Sequence, residues 1–283
     1  MFPRLDNNFS NKTISTIKDI YYRVSDHIKI LIGRLLNLRT EYTHSDLVSV
    51  IIPTFNRVEY LFSRALPSVV NQTHKNLEII VVSHGSTDET NIRVKKLSLE
   101  DSRVRLITIK RDKLSYPGKA EYHWFAGPVI PINTGLKVAR GKWIARIDDD
   151  DIWINTHIEL SLKEALRKKL EFVSSSYEVE DKDGVRRVRP EGNPPIGGVQ
   201  TWLYKSYVKR IYANIDCWRK KWNKVNDTDL QDRFRKIGLK IGHTDEISAK
   251  IIPRQGETEV GLKAYMSSMK KYEKFFTIES RED

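Results

Sequence analysis

Apolar residues recur in a helical pattern near the N-terminus and in short strand-like runs beyond residue 47. Within residues 1–47 the apolar positions are three or four apart, with lysines and arginines between them, which predicts an amphipathic helix. This helix can pack on the main domain, or it can lie as a basic helix on a membrane surface. Its apolar positions are Ile14, Ile17, Ile20, Tyr21, Val24, Ile28, Leu31, Leu35 and Leu38.

From residue 48 onward, short β-branched runs alternate with helical periodicity. The runs predict strands over residues 48–52, 77–82, 104–109 and 142–147, separated by helices of which two cover residues 59–71 and 129–139. Strands that alternate with helices predict an α/β fold, with a mostly parallel sheet flanked by helices.

After residue 152 this alternation lapses. A helix is predicted over residues 155–169 and a strand over 171–180, followed by a loop at 190–198 that is rich in proline and glycine. Residues 206–238 are expected to be mostly helical, and residues 258–276 to form a final basic helix.

The composition limits the class of protein. The 283 residues carry a net charge of +12, and no apolar run approaches the roughly 18 residues of a transmembrane helix. The N-terminus does not resemble a signal peptide, and the single cysteine, Cys217, indicates a reducing compartment. A cytoplasmic location is expected, with attachment to the inner face of a membrane left open. The basic excess suits nucleic acid, an anionic membrane or phosphorylated substrates.

Four consecutive aspartates, Asp148 to Asp151, follow the fourth predicted strand. In open α/β sheets, ligands bind at the carboxyl ends of strands. Adjacent carboxylates repel one another, so a hard divalent cation, Mn²⁺ or Mg²⁺, is expected to offset their charge. The alternative is an acidic turn that caps the next helix.

Two other strand ends carry polar groups. Residues 53–57 (PTFNR) offer an aromatic ring and small polar groups on which a nucleotide base could stack, and residues 83–88 (SHGSTD) follow the second strand. Each segment by itself is typical of an ordinary strand-to-helix turn.

In this order and spacing, the segments resemble the family 2 glycosyltransferases, which are inverting nucleotide-sugar transferases of the GT-A fold. The resemblance is close over residues 47–153 and weaker beyond them. It covers residues 48–57 (VSVIIPTFNR), 68–73 (SVVNQT), 78–82 (EIIVV), 85–88 (GSTD), 133–135 (NTG), 139–141 (ARG) and 147–153 (IDDDDIW).

The resemblance implies a Rossmann-like GT-A fold in four segments. Residues 1–47 would be a helical extension, 48–152 the nucleotide-sugar-binding half, 153–255 a smaller, mixed acceptor-binding half, and 256–283 a C-terminal helix and tail. It also implies a nucleoside diphosphate sugar donor, with UDP favoured, and a glycan or lipid-linked acceptor.

Particular residues receive roles from the resemblance. Asp148 and Asp150 would bind the cation, and Asp151 would support the cation or the acceptor. Asp227 would be the general base that takes the proton of the acceptor hydroxyl. The donor would contact Pro53, Thr54, Phe55, Arg57, His84, Asn133, Asp148 and Asp149.

The sequence departs from the family pattern at two places. Ser83 and His84 replace a usual pair of aspartates, and Asn226 replaces the glutamate that usually precedes Asp227. The first change leaves the nucleotide base open, because a neutral histidine can donate or accept a hydrogen bond.

Candidate acceptor residues follow the loop that is rich in proline and glycine. Gln200 belongs to a segment suited to an acceptor loop, and Trp202 can either stack on a sugar or pack in the core. Asp229 and Arg233 are four residues apart and predict a structural ion pair.

The chain is therefore expected to be an inverting, metal-dependent glycosyltransferase. Two alternatives remain open: a catalytically silent protein that keeps the nucleotide site, and a basic nucleic-acid binder. No helix-turn-helix, zinc-finger or RNP-type motif supports the second, so no nucleic-acid partner is expected.

Overall fold

The computed structural model describes residues 11–111, 120–217, 225–257 and 260–261. Nine strands lie within these residues: β1 Val48–Thr54, β2 Leu77–His84, β3 Val104–Ile109, β4 Trp143–Arg146, β5 Asp151–Trp153, β6 Phe172–Asp181, β7 Gly184–Val188, β8 Leu203–Lys205 and β9 Ile241–Ile251. They form one sheet in the order β3-β2-β1-β4-β8-β6-β9-β5, with β7 paired to β6.

Eight α-helices lie within the same residues. They are α1 Asn11–Leu36, α2 Val58–Tyr60, α3 Leu66–Val70, α4 Thr90–Glu100, α5 Ala120–Ala126, α6 Val129–Val138, α7 His157–Arg167 and α8 Asn226–Lys236. A π-helical turn, Leu61–Ala65, joins α2 to α3, and two 3₁₀ turns cover Val199–Thr201 and Ser206–Arg210.

The sheet has a parallel half and a mixed half. Strands β3, β2, β1 and β4 are parallel neighbours, as expected for strands joined through helices. Beyond β4 the pairing is antiparallel from β4 to β8 and from β8 to β6, and parallel from β6 to β9. This arrangement confirms the predicted α/β fold of the GT-A type, with its N-terminal helix.

Every residue of β1 and β2 is buried, because helices cover both faces of the parallel half. Alternate side chains point to opposite faces, so Val50 and Ile52 pack with the α2–α3 segment and α7, whereas Ile51 packs with α6 and α8. The four strands predicted from apolar runs are all confirmed at these positions.

The C-terminal half agrees only in part with the sequence prediction. Within residues 206–238, Ser206–Arg210 and α8 account for most of the described residues, so this stretch is mostly helical, as predicted. The eleven-residue strand β9 had no counterpart in the sequence prediction. Apart from residues 260–261, the predicted helix over residues 258–276 lies outside the described residues. The division into four segments remains a prediction.

Candidate active site

A cavity of about 290 Å³ opens at the carboxyl edge of the parallel strands. The register places Thr54 opposite Ser83 and Ile51 opposite Arg146, so the ends of β1, β2 and β4 meet there. The cavity is lined by Pro53, Thr54, Phe55, Arg57, His84, Arg111, His123, Trp124, Gly127, Pro128, Pro131, Arg146, Asp148, Asp149, Asp150, Val199, Val225, Asn226, Asp227 and Arg254. It thus combines the ends of the parallel strands with residues from the C-terminal part of the chain, among them Asp227 of α8.

The loops after β1 and β2 hold each other in place. Asn56 adopts a positive φ of 50°, which asparagine tolerates better than most residues. The side-chain Oδ1 of Asn56 accepts a hydrogen bond from the backbone N–H of Thr87 at 2.7 Å, and the backbone N–H of Asn56 donates to Ser86 Oγ at 3.1 Å. The Asp88 carboxylate accepts from the Val58 amide at 3.1 Å. This clasp fixes the two backbones that border the cavity.

The aspartates after β4 are paired with arginines from distant parts of the chain. Arg57 Nη1 donates to Asp149 Oδ1 at 3.0 Å and to Asp150 Oδ2 at 3.3 Å. Arg254 Nε donates to the same oxygen of Asp150 at 2.6 Å. Arg64 donates to the backbone carbonyl of Asp150 at 3.0 Å and to that of Ile252 at 2.8 Å, which ties this turn to the chain beyond β9.

The four carboxylates differ in their ease of ionisation. Burial and the neighbouring Asp150 raise the pKa of Asp148 to about 7. Burial by itself would raise the pKa of Asp150, but Arg57 and Arg254 outweigh this effect and lower the pKa to about 2. Burial, followed by repulsion from Asp150, raises the pKa of Asp151 well above its ordinary value. Burial and mutual repulsion therefore oppose the ionisation of Asp148 and Asp151, whereas the arginines keep Asp150 ionised.

The cluster fits a hard divalent cation as a partial site. Asp148 and Asp150 both line the cavity and offer the oxygen ligands that Mn²⁺ and Mg²⁺ prefer, and the repulsion between them would be relieved by a cation. Among the described residues, no group of three or more histidines, cysteines or acids is arranged to hold a metal ion. Ligands beyond these two carboxylates would have to come from a bound diphosphate and water.

Asp227 enters the cavity from the other half of the molecule. It lies in the first turn of α8, and its Oδ1 accepts a hydrogen bond from the Thr228 amide at 2.8 Å. Burial raises the pKa of Asp227, while the Arg146 guanidinium opposes this rise. The site thus combines the aspartates after β4 with a separate carboxylate of increased basicity.

The cavity wall also carries two imidazoles, one of which, that of His84, replaces a carboxylate of the family pattern. His84 and His123 both line it, and the Arg111 guanidinium lies 4.1 Å from the centre of the Phe55 ring. Burial, reinforced by Arg111, lowers the pKa of His84 to about 4, and the same causes lower the pKa of His123 to about 3. At neutral pH both imidazoles are uncharged, so each can donate one hydrogen bond and accept another.

Arg146 is an unusual member of the cavity wall. It belongs to β4 and is only 3% exposed, and its charge acts on both Asp148 and Asp227. Its guanidinium carbon lies 5.6 Å from the centre of the Trp202 ring. A buried cation therefore stands between the two groups of acids that define the site.

Four of the predicted site residues do not line the cavity. The Asn133 amide exchanges two hydrogen bonds with the backbone of Ala213, at 2.9 and 3.0 Å. Trp202 is fully buried and donates to the Gly197 carbonyl at 2.7 Å, so it belongs to the core. The other two, Gln200 and Asp151, are buried beside the cavity. The remaining predicted residues all line it.

Several cavity residues were not predicted from the sequence. They lie outside every motif that we identified, and only the fold brings them to the strand ends; they are Arg111, His123 and Arg254. Arg146 had a signal, since it is a charged residue in the middle of the apolar run WIARI.

Solved structures with a similar fold indicate the class of protein to which this chain belongs. The structure is similar to TarS of S. aureus (residues 1–349) solved with UDP-GlcNAc, with a TM-score of 0.54, 19% identity, and 75% of this chain and 60% of that chain covered. It is also similar to the mannosyltransferase PcManGT from Pyrobaculum calidifontis in complex with GDP-Man and Mn²⁺, with a TM-score of 0.52, 16% identity, and coverage of 87% and 70%. The chain has the GT-A fold of such enzymes.

The family model of glycosyl transferase family 2 matches residues 49–116 and 124–233. The chain belongs to this family. Two Escherichia coli relatives are named UDP-Glc:alpha-D-GlcNAc-diphosphoundecaprenol beta-1,3-glucosyltransferases: WfgD is 34% identical over 139 residues, 49% of each chain, and WfaP is 32% identical over 176 residues, 61% of this chain and 59% of WfaP. The chain thus spans about half of WfgD.

Proposed function

We propose that this chain transfers a glycosyl group, with inversion at the anomeric carbon, from a nucleoside diphosphate sugar to a hydroxyl group of a lipid-linked glycan. The observation that carries the proposal is the meeting of Asp227 with Asp148 and Asp150 around one cavity. A base on one side of a bound sugar and charge-stabilising groups on the other are what an in-line displacement requires.

The donor would occupy the cavity between the ends of β1, β2 and β4. Its base would lie near Phe55 and His84, and its diphosphate near Arg57 and Arg254. These arginines already pair with carboxylates, so they are held in place before the donor binds. A UDP-sugar is the favoured donor, because the names of WfgD and WfaP specify UDP-Glc.

In the transfer step, the Asp227 carboxylate takes the proton of the acceptor hydroxyl. At the same time, the oxygen of that hydroxyl bonds to the anomeric carbon of the donor sugar. The bond from that carbon to the diphosphate oxygen breaks, and the electron pair leaves with the nucleoside diphosphate. Arg57 and Arg254 stabilise the charge that builds on the leaving group. Bound at Asp148 and Asp150, Mn²⁺ or Mg²⁺ would supply Lewis-acid stabilisation of the same charge.

The acceptor class comes from the relatives. The names of WfgD and WfaP specify GlcNAc-diphosphoundecaprenol. We place the acceptor beside α8, the helix that contributes Asp227. A reaction at the cytoplasmic face of a membrane would suit such an acceptor and a chain with a single cysteine, Cys217.

The test is a transfer assay with UDP-glucose and a synthetic GlcNAc-diphosphate lipid. We expect Asp227→Asn to lower kcat by about 10²- to 10⁴-fold without changing UDP affinity in calorimetry. Asp232→Asn is the matched control, because Asp232 lies on the same helix but pairs with Arg235 at 3.6 Å. The linkage configuration of the product, read by NMR, tests inversion.

A catalytically silent nucleotide binder is the second candidate, because His84 replaces a carboxylate of the family pattern. It predicts UDP or GDP binding with no transfer to any acceptor, and identical behaviour of the wild type and Asp227→Asn. Transfer by the wild type that Asp227→Asn loses would exclude it.

A further inference from the structure

The helix α1 packs on the protein through its more polar face. Tyr22 donates to Asn214 at 3.1 Å, and Asp26 accepts two hydrogen bonds from Arg233 at 2.7 and 3.1 Å. A side chain added at Gly33 would lie 2.9 Å from Tyr207, so the helix and the domain are in close contact there. These docking residues, Tyr22, Asp26 and Gly33, share one side of the helix, since they are four and seven positions apart, close to one and two helical turns.

The opposite side of α1 is apolar and open to solvent. Eight large apolar residues on it are each between 43% and 59% exposed, and we call them the apolar stripe. At 3.6 residues per turn they fall within an arc of about 120° and extend about 27 Å along the helix. The stripe consists of Ile17, Ile20, Tyr21, Val24, Ile28, Leu31, Ile32 and Leu35.

Such a helix inverts the usual arrangement. A surface helix of a globular protein normally turns its apolar residues inward, whereas α1 buries Asp26 and exposes the stripe. A contiguous exposed apolar patch of this extent indicates a binding surface. Leu38, just beyond the helix, is 76% exposed and continues the patch.

The charges around the stripe identify its occupant. Arg23 flanks it on one side, and Arg39 follows its end. Lys29 flanks it on the other side and also pairs with Asp26 at 3.7 Å. The two acids of α1, Asp19 and Asp26, both lie toward the domain on the docking side. The exposed surface is therefore apolar with a basic border, which complements an anionic bilayer.

A second copy of the chain fits this surface less well. Several stripe residues between Ile17 and Leu35 are spaced alternately four and three residues apart, as in the seam of a coiled coil. Ile20 and Ile32 lie outside the a and d positions of such a seam and make the stripe wider than it. A two-fold pairing would also bring the basic borders together with no acid between them, which is unfavourable.

We infer that α1 lies along an anionic membrane surface, with the apolar stripe inserted among the lipid chains and the basic border at the headgroups. The inference deepens the proposed function, on which it rests for its biological purpose, because a lipid-linked acceptor would be met at this surface. Asp26 contacts Arg233 of α8, whose first turn carries Asp227. The bound helix is thus joined to the candidate base through a single element.

The test is flotation of the full chain with vesicles, without donor or acceptor, so that it can fail independently of the proposed transfer. We expect the chain to float with vesicles of equal parts phosphatidylcholine and phosphatidylglycerol, and only weakly with phosphatidylcholine alone. A variant with Ile28→Ser, Leu31→Ser and Leu35→Ser should lose roughly 100-fold in partition. The control, Ile92→Ser with Leu99→Ser, changes exposed apolar residues on α4 and should bind normally.

Two further measurements distinguish a loss of membrane binding from a loss of the fold in the stripe variant. Replacing Arg23 and Arg39 by glutamine should weaken binding to the anionic vesicles roughly tenfold. A polarity-sensitive fluorophore attached at Leu35→Cys should shift to the blue with anionic vesicles, and one at Leu99→Cys should not. Equal flotation of the wild type and the stripe variant would overturn the inference. So would a lipid-indifferent dimer that the stripe variant converts to a monomer, which would assign the stripe to a second copy.

Discussion

Two clusters of arginine and carboxylate side chains lie in very different surroundings. Asp26, Asp229 and Arg233 are sealed between α1 and α8, with the two acid side chains 1% exposed and that of Arg233 5% exposed. Asp150, Arg57 and Arg254 line an open cavity and remain 14% to 23% exposed. The same chemistry can hold two helices together in one place and receive a ligand in the other, because only the second cluster can exchange its partners with an incoming charge.

The largest expected effect tests the sealed cluster. Asp26→Ala leaves Arg233 buried without its bidentate partner, and breaking such a pair costs about 3–5 kcal/mol of unfolding free energy. Urea denaturation should show this loss, while the folded fraction keeps its nucleotide affinity. Arg23 is an exposed residue of the same helix, and Arg23→Ala should change the unfolding free energy by less than about 0.5 kcal/mol. A loss of nucleotide affinity with unchanged stability would show that the sealed cluster serves the site instead.

The second effect tests the open cluster. Asp150→Asn removes a charge that faces the diphosphate position, and we expect kcat to fall by about 10²- to 10³-fold. The unfolding free energy should change little, because the released arginines remain accessible to water. The dependence of UDP affinity on Mn²⁺ should weaken in calorimetry. Unaltered transfer and unaltered metal dependence would contradict the placement of the leaving group at this cluster.

The sequence predicted much of the open cluster and little of the sealed one. Asp148 to Asp151 stand together in the chain beside an apolar run, so local sequence reveals them. Asp26 and Arg233 are 207 positions apart, and neither has a neighbour that signals a pair. The predicted pair of Asp229 and Arg233 is confirmed at 3.5 Å, but Asp26 is the closer partner. Pairing across such distances depends on the fold, which single-sequence patterns do not contain.

The same reason accounts for the fold elements that were missed. The parallel strands are apolar throughout because both of their faces are buried, and the runs that encode them are visible. Strand β9 is largely exposed or half-buried, with His243, Thr244, Asp245 and Glu246 in its middle. It is held by long-range pairing with β6 and β5, and its local sequence shows no strand pattern.

A third, smaller effect concerns two buried imidazoles, one that faces the cavity and one in the core away from it. Burial lowers the pKa of His84 to about 4 and that of His157 to about 3, below the ordinary 6.5. Below pH 6.5 the unfolded chain therefore binds protons that the folded chain does not, and the free energy of unfolding decreases as the pH is lowered. We expect a loss of about 2 kcal/mol per such histidine by pH 5, measured by urea denaturation at pH 7.5 and pH 5.

The two histidines separate the effect of the cavity from that of the core in this experiment. His157 is fully buried between Trp153 and Ser248, whose Oγ lies 2.7 Å from its Nδ1, and His84 faces the cavity. His157→Gln should reduce the pH dependence in the presence and absence of UDP, whereas the effect of His84→Gln should differ between the two conditions. A stability that stays constant from pH 7.5 to pH 5 would refute the lowered pKa values.

The smallest expected effect concerns Arg146, which belongs to the core and to the cavity at once. Its charge favours ionisation of Asp227, whose pKa burial raises. Asp227 must be ionised to accept a proton, so activity is lost as pH falls through its pKa. Without the guanidinium that pKa rises further, and Arg146→Met should move the acidic limb of the kcat profile to higher pH. At neutral pH we expect a loss of about tenfold, equivalent to about 1.4 kcal/mol.

Arg146→Lys is the matched variant, because it keeps the charge and loses the planar guanidinium. If the charge acts on Asp227, the acidic limb stays in place in Arg146→Lys and moves only in Arg146→Met. If Arg146 instead fills space beside Trp202, both variants shift stability and neither moves the limb. The pH profile therefore decides whether this buried arginine belongs with the open cluster, as a group that acts on the reaction, or with the sealed one, as a group that holds the fold.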